Sequence, residues 1–295
     1  MKVVIFGAGG NLGKDLVRAF SDANHNVVGY DRDSLDATDA NAVRSCISNG
    51  RFDVVVNAVA WNNVDAAEDP ANRDAVWRLN VTVPQTMAEA AKDSGAMFVH
   101  YSTDYVFAGT KPEGYTEDDT PNPISVYGQS KSDGDRAVVT VGGRAYICRT
   151  SKLFGTPGSS PNAKPSFVNV MVKLARTKPE LGIVDEEVGS PTFTADLAEA
   201  TVRLTDGTFV PGVYHMVNEG PGVTWYGFAE EFFSLLHVTT PRKPVSSDAF
   251  PKPAKRPKFA PLLNTKFPKL RPRVEALKAF FAEALERESG LGRSG

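Results

Sequence analysis

Cysteine is scarce: Cys46 and Cys148 are the only two in 295 residues, and neither has a neighbour at metal-ligand or dithiol spacing. A cysteine-built zinc or redox site is therefore not expected, and so few thiols fit a reducing compartment. Cys148 lies in the apolar run Ala145-Tyr146-Ile147-Cys148 and reads as a buried, inert thiol. Net charge is scarce too. The 33 Lys and Arg nearly balance the 35 Asp and Glu, leaving −2, so the basic face of a nucleic-acid protein is not expected. Long apolar runs are missing as well. No segment approaches the ~20 residues of a spanning helix, and Val3-Val4-Ile5-Phe6 is too short for the core of a secretion signal. The expectation is a cytoplasmic protein with no membrane and no nucleic-acid partner.

What the chain does have is core-forming residues in alternating blocks. With 41% hydrophobic residues it can bury a large interior. Short Val/Ile-rich runs at 2–6, 26–30, 53–57, 97–101 and 144–149 read as strands buried on both faces. Between them, 11–23, 40–49, 73–94 and 126–139 read as helices. This alternation predicts an α/β fold with a Rossmann-like doubly wound parallel sheet. After about residue 150 the pattern loosens. Residues 155–165 are rich in Gly and Pro, and 238–272 in Pro. Helices are expected at 166–176, 194–204, 224–236 and 273–288, with one strand at 213–217. The chain divides into a dinucleotide-binding domain at 1–150, which also carries the catalytic residues, and a smaller C-terminal lobe at 151–289. That lobe is mainly substrate-binding, with some segments returning to the first domain.

The first strand runs into Gly7-Ala8-Gly9-Gly10-Asn11-Leu12-Gly13, immediately before a helix. Glycines at 7, 10 and 13 suit a tight turn that seats a pyrophosphate at the helix N-terminus, with Asn11 and Leu12 opening that helix. The strict G-x-G-x-x-G fingerprint is not met, because position 12 is Leu. Asp31 ends the second strand, 24 residues after Gly7, where a carboxylate accepts from the ribose hydroxyls of NADH. Arg32 beside it suits the 2′-phosphate of NADPH, so both cofactors stay open. The third strand leads through Asn57 to Ala58 and Ala60, small residues past which a cofactor can lie close to backbone.

Tyr127 and Lys131 stand four residues apart on an expected helix, so both project from one face. A phenol placed there can give its proton to a nascent alkoxide, while the ammonium holds a ribose and lowers the phenol's pKa. The fourth strand ends in Ser102-Thr103-Asp104-Tyr105, at the sheet edge where open α/β folds bind ligands. Thr103, with Ser102 as second choice, can donate to a substrate carbonyl. No metal site is expected, since Asp185, Glu186 and Glu187 read as a solvated loop. His100 and His215, on buried strands, read as core histidines.

In this order the motifs resemble those of the extended short-chain dehydrogenase/reductases, and among them the dTDP-4-dehydrorhamnose reductase family, over about residues 1–285. The most discriminating are Ser-Thr-Asp-Tyr-Val-Phe at 102–107 and Gly-Ser-Pro-Thr at 189–192. Val64-Asp65-Ala66-Ala67-Glu68, Asn80, Arg149-Thr150-Ser151 and Arg256-Pro257 extend the likeness. The resemblance implies that Thr103, Tyr127 and Lys131 are catalytic, with Asn80 supporting a proton-relay water. It implies NADPH or NADH as cofactor and hydride transfer to C4 of a dTDP-4-keto-6-deoxyhexose. Ser102, Asp104, Tyr105, Lys152 and Arg256 would then border the nucleotide-sugar substrate, Arg256 near its diphosphate, and a homodimer is one assembly open to the chain. Related dehydratases carry Asp-Glu after the Thr. Here Asp104-Tyr105 lacks the second carboxylate, which leaves simple reduction. The chain departs from the family pattern at Lys152, where Trp usually follows Arg-Thr-Ser, at Ser166, at 260–263, and in the long 155–165 loop, a candidate cover for the substrate. A different nucleotide-linked 4-keto sugar, or a non-catalytic nucleotide-binding subunit, stays open as an alternative.

Overall fold

Side chains alternate across β1 (Lys2–Phe6), and that alternation explains why the sheet is covered twice. Val3 and Ile5 pack with Leu16 and Phe20 of α1 (Asn11–Asp22), whereas Val4 and Phe6 face the opposite layer. A strand that is apolar on both sides has to be buried on both. The computed structural model describes residues 1–161 and 163–288 and extends this rule across one parallel sheet. In chain order follow β2 (Asn26–Tyr30), α2 (Ala40–Gly50), β3 (Val54–Asn57), α3 (Arg73–Trp77), α4 (Val83–Asp93), β4 (Met97–Thr103), α5 (Val126–Val141) and β5 (Ala145–Thr150). After them come β6 (Leu153–Phe154), α6 (Phe167–Ala175), β7 (Leu181–Val184), β8 (Thr192–Phe193) and α7 (Thr194–Leu204). The chain closes with β9 (Gly212–His215), α8 (Trp225–Leu235), β10 (Arg242–Val245) and α9 (Arg273–Glu288).

The sheet order is β2-β1-β3-β4-β5-β9, every neighbouring pair parallel. The chain steps from β1 to β2 on one side, then returns to β3 on the other. That reversal opens a crevice beyond the C-terminal ends of β1 and β3, the place where doubly wound folds take their ligands. α1 and α7 cover one face, and α2, α4 and α5 the other. The helix expected at 73–94 is broken by a π turn at Arg78–Thr82.

A second core lies outside the sheet. Phe154, Phe193, Phe228, Phe232 and Phe280 pack together among α6, α8 and α9. Beside them, β7 pairs with β10 and β6 with β8. The sequence offered no sign of β10, which lies in the proline-rich stretch. Pro244 is tolerated because β10 has one strand partner only and an open edge. The expected lobe boundary at 289 lies outside the described residues. Among the described residues, no helix is long and apolar enough to cross a membrane.

Candidate active site

α5 presents Tyr127 and Lys131, and its first turn is fixed from two directions. Ser125 Oγ accepts from the Gly128 amide at 3.1 Å, and Glu68 Oε1 accepts from the Val126 amide at 2.8 Å. A Cβ at Gly128 would strike the carbonyl oxygen of Tyr105, so glycine lets α5 lie directly against the turn that follows β4. Tyr127 is thereby set edge-on to Tyr105, with ring centroids 5.6 Å apart. Burial raises the phenol's pKa, the Asp104 charge adds to the effect, and a hydrogen bond with Thr103 offsets part of it. One turn on, the buried Lys131 Nζ donates to the Tyr101 carbonyl at 2.6 Å and faces His100 Nε2 at 3.3 Å. Burial pushes its pKa down to about 8, against the pull of Asp135.

Thr103 closes the group from β4. Its hydroxyl donates to Asp104 Oδ1 at 2.9 Å, and Ser151 Oγ donates to Asp104 Oδ2 at 2.5 Å. Asp104 is buried, which raises its pKa, and these two hydroxyls offset the rise in part. The Asp104 carboxylate thus orients Thr103 from behind. Ser102 is also buried and turns toward Asp135. Asn80 sits in the π turn, a break in helical repeat that re-aims a side chain. Its Oδ1 accepts from the Trp61 amide at 2.8 Å, and its Nδ2 donates to the Trp61 carbonyl at 3.2 Å and Ser130 Oγ at 2.9 Å. Since Ser130 Oγ donates to the Tyr127 carbonyl at 2.7 Å, Asn80 ties the loop after β3 to the first turn of α5.

At the other end of the crevice, α1 begins on Gly10 with no side-chain cap and no acidic residue in its first turn. Its N-terminal amides are therefore available to an anion. A Cβ at Gly13 would collide with the Gly7 carbonyl oxygen, so glycine is needed for α1 to start this close to the turn. Leu12 anchors the helix in the core. Asp31 Oδ1 accepts from the Gly9 amide at 2.7 Å, and Arg32 is exposed. Asn57 is buried, Ala58 packs its carbonyl on Gly7, and Ala60 is half-buried. The bare helix terminus, the close glycine turn and the strand-end carboxylate fit a dinucleotide.

Gly158, Ser160 and Lys164 of the 155–165 loop meet this turn. Asn11 Oδ1 accepts from the Gly158 amide at 2.8 Å, Asn11 Nδ2 donates to the Lys164 carbonyl at 2.7 Å, and the Ser160 amide donates to the Gly9 carbonyl at 2.9 Å. Composition suggests a cover for the substrate, and no local signal encodes this docking.

The remaining expected residues gather on the lobe side. Lys152 adopts the left-handed region at φ 45°. Its Nζ donates to the carbonyls of Glu187 at 2.6 Å and Val223 at 3.1 Å, and lies 4.1 Å from the Trp225 ring centroid. Burial lowers its pKa to about 7, opposed by Asp104 and Glu187. Arg256 Nη2 donates to both oxygens of Asp65, at 3.1 and 2.9 Å, and its charge reaches Tyr105. Glu187 and Trp225 join this group through a 2.8 Å hydrogen bond. The sequence places Glu187 in a solvated loop. Instead the acidic run is partly structural, since Asp185 accepts from Thr224 and Glu186 from Ser247. Among the described residues, no group of three or more His, Cys, Asp or Glu could hold a metal ion. Cys148 is fully buried and its thiol pKa is driven up by that burial.

The switch-point crevice, the glycine turn and the convergence of Thr103, Tyr127 and Lys131 define an extended short-chain dehydrogenase/reductase, a class of NAD(P)-dependent oxidoreductases. Within that class the chain belongs to the RmlD substrate binding domain family, which matches residues 1–287. It is 39% identical over 266 residues to dTDP-4-dehydrorhamnose reductase of Streptomyces griseus, covering 88% of this chain and 84% of the relative. It is 35% identical over 302 residues to a probable dTDP-4,6-dihydroxy-2-methyloxan-3-one 4-ketoreductase of Streptomyces antibioticus, covering 100% and 99%. The crystal structure of dTDP-4-dehydrorhamnose reductase from Bacillus anthracis in complex with NADP superposes with a TM-score of 0.89 at 33% identity, covering 96% of this chain and 99% of that one.

Proposed function

We propose that this chain uses NADPH or NADH to reduce the C4 keto group of a nucleotide-linked 6-deoxyhexose, converting dTDP-4-dehydro-L-rhamnose to dTDP-L-rhamnose. The observation that carries this reading is the meeting of Tyr127 with the Thr103 hydroxyl, one turn from Lys131 and at the sheet edge that also holds the bare N-terminus of α1. A bound dinucleotide supplies the hydride. Thr103 turns its one hydroxyl proton from Asp104 to the C4 carbonyl, and Tyr127 passes its proton to the oxygen as it becomes an alkoxide. Lys131 contributes positive charge that favours release of that proton. Asn80 acts through Ser130, holding the turn that carries Tyr127, and stands where a proton-relay water is expected. Gly7, Gly10, Asn11, Leu12 and Gly13 shape the phosphate seat. Asp31 and Arg32 meet the adenosine ribose, while Asn57, Ala58 and Ala60 line the path to the nicotinamide.

On the sugar side, Tyr105, Lys152 and Arg256 would border the nucleotide sugar, with Ser102 and Asp104 behind Thr103. Residues 1–150 would form the dinucleotide-binding domain and 151–289 the mainly substrate-binding lobe, with β9 and α7 returning to the sheet. The same reading places the protein in the cytoplasm, with a homodimer as the assembly to look for by light scattering. A second reading, reduction of a different nucleotide-linked 4-keto sugar, is supported by the ammonium of Lys152 on this side and by the Streptomyces antibioticus relative.

The test follows absorbance at 340 nm with NADH and with NADPH, offering the 3,5-epimerised and unepimerised dTDP-4-keto-6-deoxyhexoses beside the Tyr127→Phe variant. Turnover with the epimerised sugar that is lost in the variant supports the first reading. Turnover with the other sugar alone supports the second. Tight dinucleotide binding with no turnover of any keto sugar would leave a regulatory nucleotide-binding subunit.

A further inference from the structure

Behind Lys131, three side chains from three elements form one hydrogen-bonded row: Asn57 on β3, His100 on β4 and Lys131 on α5. Its direction can be worked out from one end. The Val59 amide can only donate, and it donates to Asn57 Oδ1 at 3.0 Å, so Asn57 Nδ2 is turned toward His100. Nδ2 lies 3.1 Å from His100 Nδ1 and can only donate, so Nδ1 accepts. A neutral imidazole accepting at Nδ1 carries its proton on Nε2. That Nε2–H points at Lys131 Nζ, 3.3 Å away. If Lys131 were an ammonium here, two donors would face each other. As an amine it accepts from Nε2–H with its lone pair and still donates to the Tyr101 carbonyl at 2.6 Å.

Reversing the row does not relieve the conflict. A flipped Asn57 would set its NH₂ against the Val59 N–H. A flipped imidazole would present carbon to both neighbours, and the ring is also held against Phe98, 6.3 Å between centroids and 9° from parallel. His100 cannot carry a second proton without placing an Nδ1–H against Asn57.

We propose that His100 is a positioning residue for Lys131: held as the Nε2–H tautomer by Asn57, it keeps the docked lysine as an amine and ties its charge to leaving that dock. The proposal rests on the reading of Lys131 as the charged partner of Tyr127, and it adds the group that decides where the charge appears. The titratable or charged groups around Lys131 are His100 on β4, Tyr127 and Asp135 on α5, and Arg149 on β5, which pairs with Asp135 at 3.1 Å. Asp135 favours the ammonium, whereas burial and the imidazole N–H oppose it. Both His100 and Lys131 are displaced toward their neutral forms, burial being the larger cause in each case.

The test reads protons directly and needs no turnover. In protein carrying ¹⁵N-labelled histidine, the His100 resonances, assigned by their loss in His100→Phe, are expected to report the neutral Nε2–H tautomer throughout pH 6–9. An Nδ1–H tautomer or an imidazolium would overturn the proposal, and this reading is made on the unsubstituted chain. The second arm replaces Asn57 with Asp, whose carboxylate accepts from both Val59 N–H and an Nδ1–H, turning the row round. With ε-¹³C-labelled lysine, the Lys131 titration midpoint should then move alkaline by roughly one pH unit, a tenfold gain in proton affinity. Asn57→Asp made in the His100→Phe background should recover less than half of that movement. An undiminished shift would mean that the new carboxylate acts on Lys131 directly, and His100 would lose its role. Absence of keto-sugar turnover, with the tautomer as stated, would sink the reductase reading and leave this inference standing.

Discussion

The two ends of the crevice treat their charges in opposite ways. At the end proposed for the cofactor, α1 starts without a cap or an acidic residue, leaving amide donors for a ligand to satisfy. At the end proposed for the sugar the charges already have protein partners: Arg256 holds Asp65, Lys152 holds two carbonyls, and Trp225 holds Glu187. A diphosphate bound beside Arg256 has to share or displace Asp65, whereas a pyrophosphate at the start of α1 meets no side-chain cap and has only to fit beside the 155–165 loop. Affinity at the first end therefore follows from backbone geometry, while selectivity at the second depends on which internal contacts the sugar nucleotide replaces.

The sharpest test of the comparison lies between the two ends. Tyr127→Phe removes one oxygen and leaves the ring packed against Tyr105, so kcat should fall about 10²–10⁴-fold. The dinucleotide Kd should stay within about twofold, because the backbone at α1 is untouched. A variant that loses dinucleotide affinity as steeply as kcat would show that the phenol serves binding, and the separation of the two ends would fail.

Next in size is the pH dependence that Lys131 gives to folding. Its pKa drops from the ordinary 10.5 to about 8 in the fold, so below about 8 the native state carries the cost of an ammonium that its buried dock disfavours. That cost fades as pH rises from 8 toward 10.5, and stability from the neutral amine is lost as pH falls through 8. Lys131→Met abolishes the pH-dependent part. Its stability relative to the parent should therefore be more favourable at pH 7 than at pH 10.5, by about 3 kcal/mol at most. Urea denaturation at the two pH values measures this, and a difference that stays flat would mean that the lysine keeps its charge on folding.

Gly13→Ala probes the cofactor end alone. The added methyl meets the carbonyls of Gly7 and Ala8, which are backbone and give way poorly, so about 1–3 kcal/mol of strain is expected. Loss of dinucleotide affinity should accompany it, measured by fluorescence titration, while sugar KM at saturating cofactor stays near its parent value. A variant with normal cofactor affinity would mean that α1 can retreat without disturbing the phosphate seat.

The same contrast explains what could be read in the sequence. Parallel strands buried on both faces announce themselves as Val/Ile runs, and their C-terminal ends are where ligands sit, so Gly7–Gly13, Asp31 and Thr103 were legible from local pattern. Tyr127 and Lys131 share a face by helical spacing, a pattern common on surface helices that became a candidate site only through its place after Gly7–Gly13, Asp31 and Thr103. The lobe lacks such signals because β6 and β8 are two residues long and β10 contains a proline. Its contacts span long separations: Arg256 pairs with Asp65 across 191 positions, and the Lys164 carbonyl accepts from Asn11 across 153. No local spacing encodes such contacts. The row from Asn57 to Lys131 was illegible for the same reason, since β3, β4 and α5 each contribute one member.

The smallest expected effect decides whether the two ends are separable at all. Ser166 caps α6 with a capping box, its Oγ accepting from the Asn169 amide while its own amide donates to Asn169 Oδ1 at 3.1 Å. Ser166→Ala should cost about 1 kcal/mol in urea denaturation. α6 packs on the lobe's aromatic core, so looser packing there should raise sugar KM. Yet Ser166 directly follows the loop whose Gly158 and Ser160 bond to Asn11 and Gly9 on the phosphate turn. If that loop merely rests on the turn, dinucleotide Kd is unchanged in the variant and the lobe answers for the sugar alone. If Kd weakens in step with stability, the loop transmits the start of α6 to the start of α1, and the two ends of the crevice act as one site.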